Sequence, residues 1–442
     1  MARKTVGRPT RQPKAVKGRS KRNARAASSN VIDLKSVRES ASIFGRNFLH
    51  RLLSAQSLTF YQLAGVVVFM ASFGIVMVLS SSYIDSLRAS DNSFAIFEKQ
   101  IIAGVLGLVA FALVSLVPAS SFRRRAIPIL AGSMLVQLAT TLTPLGVSIN
   151  GNKNWINVLG FTVQPSEFLK LAMIIAMGAY LEARQNEFYD PVVWWKSLII
   201  PGLAILAVFS GKDLGTAIIM AVIMIVILAL AGLPRRILFT VFSVGAVLFI
   251  IALNVSSSRI GRIMAWINPS APDPNDYNWQ SQHGIWALAA GGFGGVGLGN
   301  SKLKWSWIPE AENDFIFAII GEEEGLIGAV AVIALFIFMG WLFKRIAERT
   351  VDLYSRSVVI GVGIWILGQA MVNIAVVLNL LPVLGVPLPL ISAGGSSLAA
   401  NLLAIGVVLS IERENQARAD NPALFRASRS GSARRKPVAS KR

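Results

Sequence analysis

The residues that could carry chemistry are concentrated in one polar segment, residues 255–313, between two strongly apolar stretches. The segment is rich in tryptophan and glycine, and its titratable side chains include Asp273, His283, Glu310 and Glu312. Loops of this length inside a compact domain are uncommon and usually functional. We therefore expect a functional site here, with chemistry on a membrane-held substrate as the favoured role.

Asp273 is singled out by the residue that follows it, Pro274. A proline restricts the preceding residue to extended backbone, so the carboxylate is presented rigidly within the turn-rich run 268–276. An aspartate in this setting could be a general base, a metal ligand or a turn former. The residues alone leave all three open.

A second polar group lies within an apolar stretch that begins at residues 164–167 (QPSE). Pro165 suits the first turn of a helix, and Glu167 and Lys170, three residues apart, share one helix face. Charged side chains inside a membrane are costly and rarely idle. They could form an internal ion pair that ties helices together. Alternatively, they could line a polar cavity in which Lys170 meets an anionic head group.

A third candidate is the small-residue segment 392–397 (SAGGSS), which follows the proline-rich run 381–389. Irregular backbone at membrane depth is tolerated only against protein or a cavity. Its successive N–H groups could hold a phosphate, which makes Ser396 and Ser397 candidate ligands. Close helix packing through small residues is the alternative.

These residues must be positioned by membrane helices, because 54% of the chain is apolar and only 15% is charged. A helix needs about 20 apolar residues to cross a bilayer. We count ten such blocks, roughly 61–83, 98–117, 125–145, 164–183, 193–210, 213–232, 236–254, 314–343, 355–380 and 392–411. Backbone groups in lipid must be satisfied within each segment. The prediction is an all-α polytopic membrane protein with a large loop between helices 7 and 8.

The net charge of +20 lies almost entirely in the two ends of the chain. Residues 1–51 carry a net charge of +12 and residues 413–442 a net charge of +7. We interpret both as disordered basic tails flanking a membrane domain, 52–412. They could anchor to anionic lipid or dock cytoplasmic partners. A basic nucleic-acid groove is not indicated, so no nucleic-acid partner is expected.

Orientation follows from the distribution of basic residues, which favour the cytoplasmic side. With both tails inside, the inner connections contain the basic clusters at 123–125, 235–236 and 344–349. The segment 255–313 then lies on the extracytoplasmic face. The chain has no cysteine and only two histidines, which excludes thiolate chemistry and a histidine-rich zinc site. Any bound metal would be a hard cation on oxygen ligands.

Three motifs together resemble one family across about residues 60–412. They are QPSExxK at 164–170, PEAxxDFIFAxxGEE at 309–323 and LPxxSxGGSS at 388–397. They are similar to those of the SEDS (shape, elongation, division and sporulation) family of peptidoglycan glycosyltransferases. Residues 150–155 and the long basic tails resemble the division branch more than the elongation branch.

The resemblance implies polymerisation of lipid II, a lipid-diphosphate-linked disaccharide-pentapeptide, during septal cell-wall synthesis. The family's essential loop aspartate corresponds to Asp273, which would act as general base toward the acceptor hydroxyl. The lipid diphosphate that leaves needs positive partners, with a divalent cation as a possible addition. The candidates for binding substrate or diphosphate are Lys99, Lys153, Glu167, Lys170, Gln280, Glu310, Ser396 and Ser397.

This chain departs from the family pattern at three positions. Asn154 stands where many relatives have arginine, and Lys153 is the available substitute. Glu312 stands where histidine is usual, and His283 where glutamine is frequent. These departures could alter contacts to a metal or a head group, but they leave Asp273 in place.

The resemblance also implies partners: a single-pass class B penicillin-binding protein, which is a transpeptidase, and other divisome proteins at the septum. The transpeptidase would pack on the eighth and ninth spans and on the loop. The loop tryptophans Trp279, Trp286, Trp305 and Trp307 could serve that contact or anchor the loop at the bilayer surface. Two other functions remain open: a lipid II flippase, and a non-catalytic divisome scaffold.

Overall fold

The computed structural model describes residues 56–149, 151–187, 190–254, 257–269, 273, 276–305 and 307–421. Its helices are α1 Leu58–Ser90, α2 Ala95–Leu116, α3 Ala119–Arg124, α4 Ala126–Leu142, α5 Pro165–Ala183, α6 Pro191–Phe209, α7 Leu214–Leu230, α8 Arg235–Asn254, α9 Ser257–Ile267, α10 Trp279–Gly291, α11 Ile316–Glu323, α12 Gly325–Arg349, α13 Leu353–Val377 and α14 Gly395–Asp420. A 3₁₀ turn covers Gln185–Glu187, and three short strands are β1 Gly146–Ile149, β2 Asn152–Val158 and β3 Phe161–Val163.

All ten predicted apolar blocks are helical, which confirms the all-α class. Six helices of the described residues, α1, α2, α6, α12, α13 and α14, are long and apolar enough to cross a membrane. Two more, α4 and α7, are apolar but shorter. The chain is a multi-pass membrane protein.

The last helix, α14, is buried over most of its length and packs along α2. Glycine allows the close approach. A Cβ at Gly107 would lie 2.7 Å from the Leu402 side chain, and one at Gly406 would lie 2.9 Å from the Phe111 carbonyl oxygen. Small residues at helix interfaces allow membrane helices to pack tightly.

Helix α14 continues to Asp420, past residue 413, where we place the start of the C-terminal tail. Residues 1–55 and 422–442 lie outside the described residues.

The eighth apolar block is divided into α11 and α12 by a break at Gly325, whose φ of +66° favours glycine. The backbone of residues 292–297 fills this break. Val296 N–H donates to the Glu322 carbonyl oxygen at 3.0 Å, and Leu326 N–H donates to the Gly292 carbonyl oxygen at 3.0 Å. A Cβ at Gly325 would lie 2.3 Å from the backbone nitrogen of Gly295. A larger residue at position 325 would therefore prevent the two segments from packing this closely.

Side chains strengthen the same junction. Lys304 Nζ lies 3.0 Å from Glu323 Oε1, and Ser80 Oγ donates to that carboxylate at 2.7 Å. Ser301 Oγ donates to the Glu322 carboxylate. This buried network joins the large loop to α1 and to the end of α11.

A small antiparallel sheet between α4 and α5 was not part of the sequence prediction. Its order is β1-β2-β3, with Gly146 opposite Ile156 and Val158 opposite Phe161. Leu159 and Gly160 connect β2 to β3 and both have positive φ, as a type I′ hairpin turn requires. Runs this short carry little hydrophobic periodicity, which explains why the apolar blocks did not reveal them.

Candidate active site

Asp273 lies in the turn that precedes α10 and organises that turn. The Asp276 N–H donates to the Asp273 carbonyl oxygen at 3.1 Å, and the Asn278 N–H donates to Asp273 Oδ2 at 2.7 Å. The Asn278 side chain in turn donates to the Ala265 carbonyl oxygen at 2.8 Å, which ties the turn to α9. Among the described residues no hydrogen bond engages Asp273 Oδ1.

A cavity of about 470 Å³ lies beside this turn. Its walls come from α9, α10 and three loops, and its lining residues are Arg262, Asp276, Tyr277, Trp279, Gln280, Pro309 and Val383. The Tyr277 ring packs on α9 at Gly261, where a Cβ would lie 2.2 Å from the ring. Gln280 Nε2 donates to the Pro309 carbonyl oxygen at 2.7 Å and so joins α10 to the segment that carries Glu310.

Four carboxylates, Asp85, Glu310, Glu312 and Asp314, interact electrostatically near this cavity, and none lies in the six candidate spans. Burial, with the neighbouring Asp85 and Glu310 carboxylates, raises the pKa of Glu312 to about 7. Burial, with Glu310, also raises the pKa of Asp314 to about 7, and Arg262 opposes the rise. Arg262, which lines the cavity, therefore interacts with this acidic group through Asp314, and Arg88 interacts with it through Asp85.

A divalent cation would need hard oxygen ligands, and the carboxylates near the cavity supply that donor type. In the part of the chain that the structure describes, however, no three acidic or histidine side chains converge in a way that could hold a metal.

Glu167 and Lys170 form a buried ion pair on α5. Lys170 Nζ lies 2.8 Å from Glu167 Oε1 and 3.1 Å from Gln369 Oε1, and its ammonium sits 4.5 Å from the centre of the Trp365 ring. Ser397 Oγ donates to Glu167 Oε2 at 3.3 Å. The pair thus connects α5 to α13 and α14, and Lys170 is only 1% exposed. This geometry matches the internal ion pair; a contact between Lys170 and an anionic head group stays a prediction.

The small-residue segment before α14 is also held by protein groups. Gly394 N–H donates to Gln100 Oε1 at 3.1 Å, and Gln100 Nε2 donates to the Ser392 carbonyl oxygen at 3.1 Å. The Gln164 N–H donates to Ser396 Oγ at 3.2 Å. Among the backbone N–H groups proposed to hold a phosphate, that of Gly394 is therefore already used.

The sequence-predicted residues fall into separate places. Gln280 lines the cavity, whereas Glu310, which follows the lining residue Pro309, and Asp273 are not themselves lining residues. Lys99 is exposed on α2, and Lys153 is half-buried on β2, where its N–H donates to the Gly211 carbonyl oxygen at 3.0 Å. Lys99, Lys153, Glu167, Lys170, Ser396 and Ser397 are not among the residues that line the cavity.

Arg262 was missed by the sequence analysis, although it lines the cavity. A signal was present: Arg259 and Arg262 stand three residues apart in the predicted extracytoplasmic segment, where basic residues are scarce. Asp85 was missed because it follows directly on an apolar block, at the end of α1.

Comparison with known proteins agrees with the motifs. Residues 61–417 match the family model of FtsW, RodA and SpoVE cell cycle proteins. The chain is 36% identical over 363 residues to a Mycobacterium tuberculosis protein named as a probable peptidoglycan glycosyltransferase FtsW, covering 80% of this chain and 68% of that one. It is 33% identical over 355 residues to stage V sporulation protein E of Bacillus subtilis, covering 79% and 95%.

The fold also matches a solved structure. That structure concerns the coordination of polymerization and crosslinking by a peptidoglycan synthase complex. The match has a TM-score of 0.65 at 25% identity and covers 82% of this chain and 98% of the other. The chain accordingly belongs to the FtsW, RodA and SpoVE family of cell cycle proteins, which is the SEDS family that its motifs indicate.

Proposed function

We propose that this chain is a peptidoglycan glycosyltransferase that joins lipid II units into glycan strands at the outer face of the cell membrane. The observation that carries the proposal is the setting of Asp273. One of its oxygens is fixed by the Asn278 N–H, the other is without a hydrogen bond from the described residues, and the turn borders a cavity. The names of the relatives, peptidoglycan glycosyltransferase FtsW among them, support the same activity.

The reaction that this geometry supports is a displacement at the anomeric carbon of the donor sugar. Asp273 accepts the proton of the acceptor's 4-hydroxyl as that oxygen bonds to the anomeric carbon. The bond from the anomeric carbon to the diphosphate oxygen breaks, and the lipid diphosphate leaves with the electron pair. Its negative charge needs a cation, and Arg262 is the cation that lines the cavity.

The runner-up function is a flippase that carries lipid II across the bilayer. The buried ion pair of Glu167 with Lys170 suits a polar path through the membrane. However, Gln369 and Ser397 hydrogen-bond to the two charged groups, so both are already bound by protein side chains. The relatives' names also favour a transferase. Polymerisation is therefore the better-supported function.

The proposal includes a partner and a location. The matching solved structure concerns how a peptidoglycan synthase complex coordinates polymerization and crosslinking, which supports pairing with a class B penicillin-binding protein transpeptidase. The basic clusters support two cytoplasmic termini and an extracytoplasmic loop. Resemblance to the division branch supports a place at the septum among divisome proteins.

The test supplies lipid II in detergent to the purified chain together with its transpeptidase. With no membrane to cross, an enzyme still forms glycan strands, which are separated by gel electrophoresis. If no strands form while lipid II crosses vesicles that contain the protein, the flippase is the correct function.

A further inference from the structure

Three rings of the large loop, those of Trp279, His283 and Trp307, form a stack that we call the aromatic shelf. The Trp279 and Trp307 rings lie 5.8 Å apart at an interplanar angle of 15°. The His283 ring lies 4.0 Å from Trp279 and 5.6 Å from Trp307. His283 is only 2% exposed, whereas Trp279 is 38% and Trp307 50% exposed. The shelf thus rests on a buried ring and presents indole surface.

Hydrogen bonds fix the shelf in place. Trp279 Nε1 donates to the Trp307 carbonyl oxygen at 2.7 Å, and His283 Nδ1 lies 2.8 Å from the Trp279 carbonyl oxygen. A tryptophan that anchors a protein at the bilayer surface keeps its N–H toward water and head groups. The Trp279 N–H is used inside the protein instead. The shelf therefore offers preformed ring surface to a ligand, at little cost in side-chain entropy.

Polar groups adjoin the shelf. Trp279 lines the 470 Å³ cavity together with Arg262, Asp276 and Gln280. The volume is within the range of small-molecule pockets, roughly 300–1,000 Å³. Flat apolar surface beside hydrogen-bonding side chains complements a pyranose, which has C–H groups on its ring faces and hydroxyls around its edge. A lipid tail would leave the polar groups without partners.

We propose that the aromatic shelf binds pyranose rings of the glycan strand, beside the cavity in which sugar transfer occurs. This inference rests on the proposed function, because a polymerase must hold the strand that it extends. Binding of the strand at sugars that do not react would keep the strand on the enzyme between successive transfer reactions. The shelf would therefore set glycan length more than the rate of a single transfer.

The direct test measures binding of a lipid-free, peptide-free tetrasaccharide of alternating GlcNAc and MurNAc to the purified full chain in detergent. Tryptophan fluorescence and calorimetry report the affinity. We expect saturable binding by the wild type and about tenfold weaker binding by Trp307→Ala, because a stacked face is lost. Trp307→Phe retains a ring and should bind nearly as the wild type does. The matched control is Trp195→Ala, which removes a 69% exposed tryptophan on α6 and should bind normally.

A second readout is strand length with lipid II as substrate, where Trp307→Ala should give shorter strands. Absence of saturable wild-type binding overturns the inference without any variant. Equal tetrasaccharide affinity of the wild type and Trp307→Ala also overturns the inference. This holds even if Trp307→Ala loses its association with the transpeptidase. Asp273→Asn separates the two claims: it should bind the tetrasaccharide normally and form no strands. A wild type that binds the sugar but never polymerises lipid II would contradict the proposed function alone.

Discussion

Lys170 Nζ and Glu167 Oε1 lie 2.8 Å apart on one face of α5, and both side chains are almost fully buried. The carboxylate also accepts from Ser397, and the ammonium donates to Gln369. Every charge here is therefore compensated by protein groups. Removing one partner leaves the other as an unpaired buried charge, which costs much more than the pair itself contributes.

Lys170→Met should lower stability by about 3–5 kcal/mol, because the Glu167 carboxylate loses its counterion. The measurement is thermal unfolding in detergent. The double variant Glu167→Leu/Lys170→Met removes both charges and should recover much of the loss. A Lys170→Met protein that melts like the wild type but does not polymerise lipid II would instead favour the head-group role.

The buried network of Lys304 and Glu323 predicts an effect on the stability of the large loop. Lys304→Met removes the ammonium that joins Glu323, Ser80 and the Gly299 carbonyl oxygen. Residues 292–305 should then be cleaved faster in limited proteolysis, and polymerisation should fall. Lys302 is exposed, so Lys302→Met is the matched control and should resist cleavage as the wild type does. Equal cleavage of both variants would show that the network does not hold the loop.

Arg262 should stabilise the diphosphate as it leaves. Arg262→Gln removes a charged donor from the cavity wall, and a hydrogen bond to a charged group contributes about 1.5–3 kcal/mol. The expected result is about a 10- to 100-fold loss in kcat/KM for lipid II, with the melting temperature kept. Arg259→Gln, on the same helix, removes a contact to the Lys212 carbonyl oxygen and should leave kcat/KM unchanged. The role fails if the two variants have the same kcat/KM.

Glu312 predicts a pH dependence of stability. Its pKa is about 7 in the folded chain against an ordinary value of 4.5, so the folded state binds the proton more tightly. Stability from this group is full below about pH 4.5 and is lost as the pH rises toward 7. Glu312→Gln should therefore flatten the fall in melting temperature between pH 5 and about 7.5. An unchanged pH profile in the variant would contradict the raised pKa.

Much of the fold follows from sequence because the strongest signal, blocks of apolar residues, is also the strongest constraint in a membrane. What the blocks do not encode is where a helix breaks. The break at Gly325 depends on the backbone of residues 292–297, which is distant in sequence, and nothing local predicts that approach.

The candidate site was predicted only in part, because contacts between residues distant in sequence also form the site. Asp273 was marked by Pro274 and by its motif context. Arg262 and Asp85 reach the site through tertiary packing of α9 and the end of α1. Lys170 matched a motif equally well, yet the fold surrounds it with Glu167 and Gln369. A motif thus marks residues that the fold requires, and only the packing separates those that face a cavity from those that join helices.

The Asp273→Asn variant tests whether Asp273 accepts the proton of the acceptor hydroxyl. The asparagine side-chain oxygen can still accept the Asn278 N–H, so the turn and the melting temperature should be kept. Asp91→Asn, which changes an exposed aspartate at the end of α1, is the control and should polymerise normally. With lipid II in detergent and the transpeptidase present, we expect folded Asp273→Asn to make no glycan strands. Strand synthesis by that variant at close to the wild-type rate would show that Asp273 is not the general base.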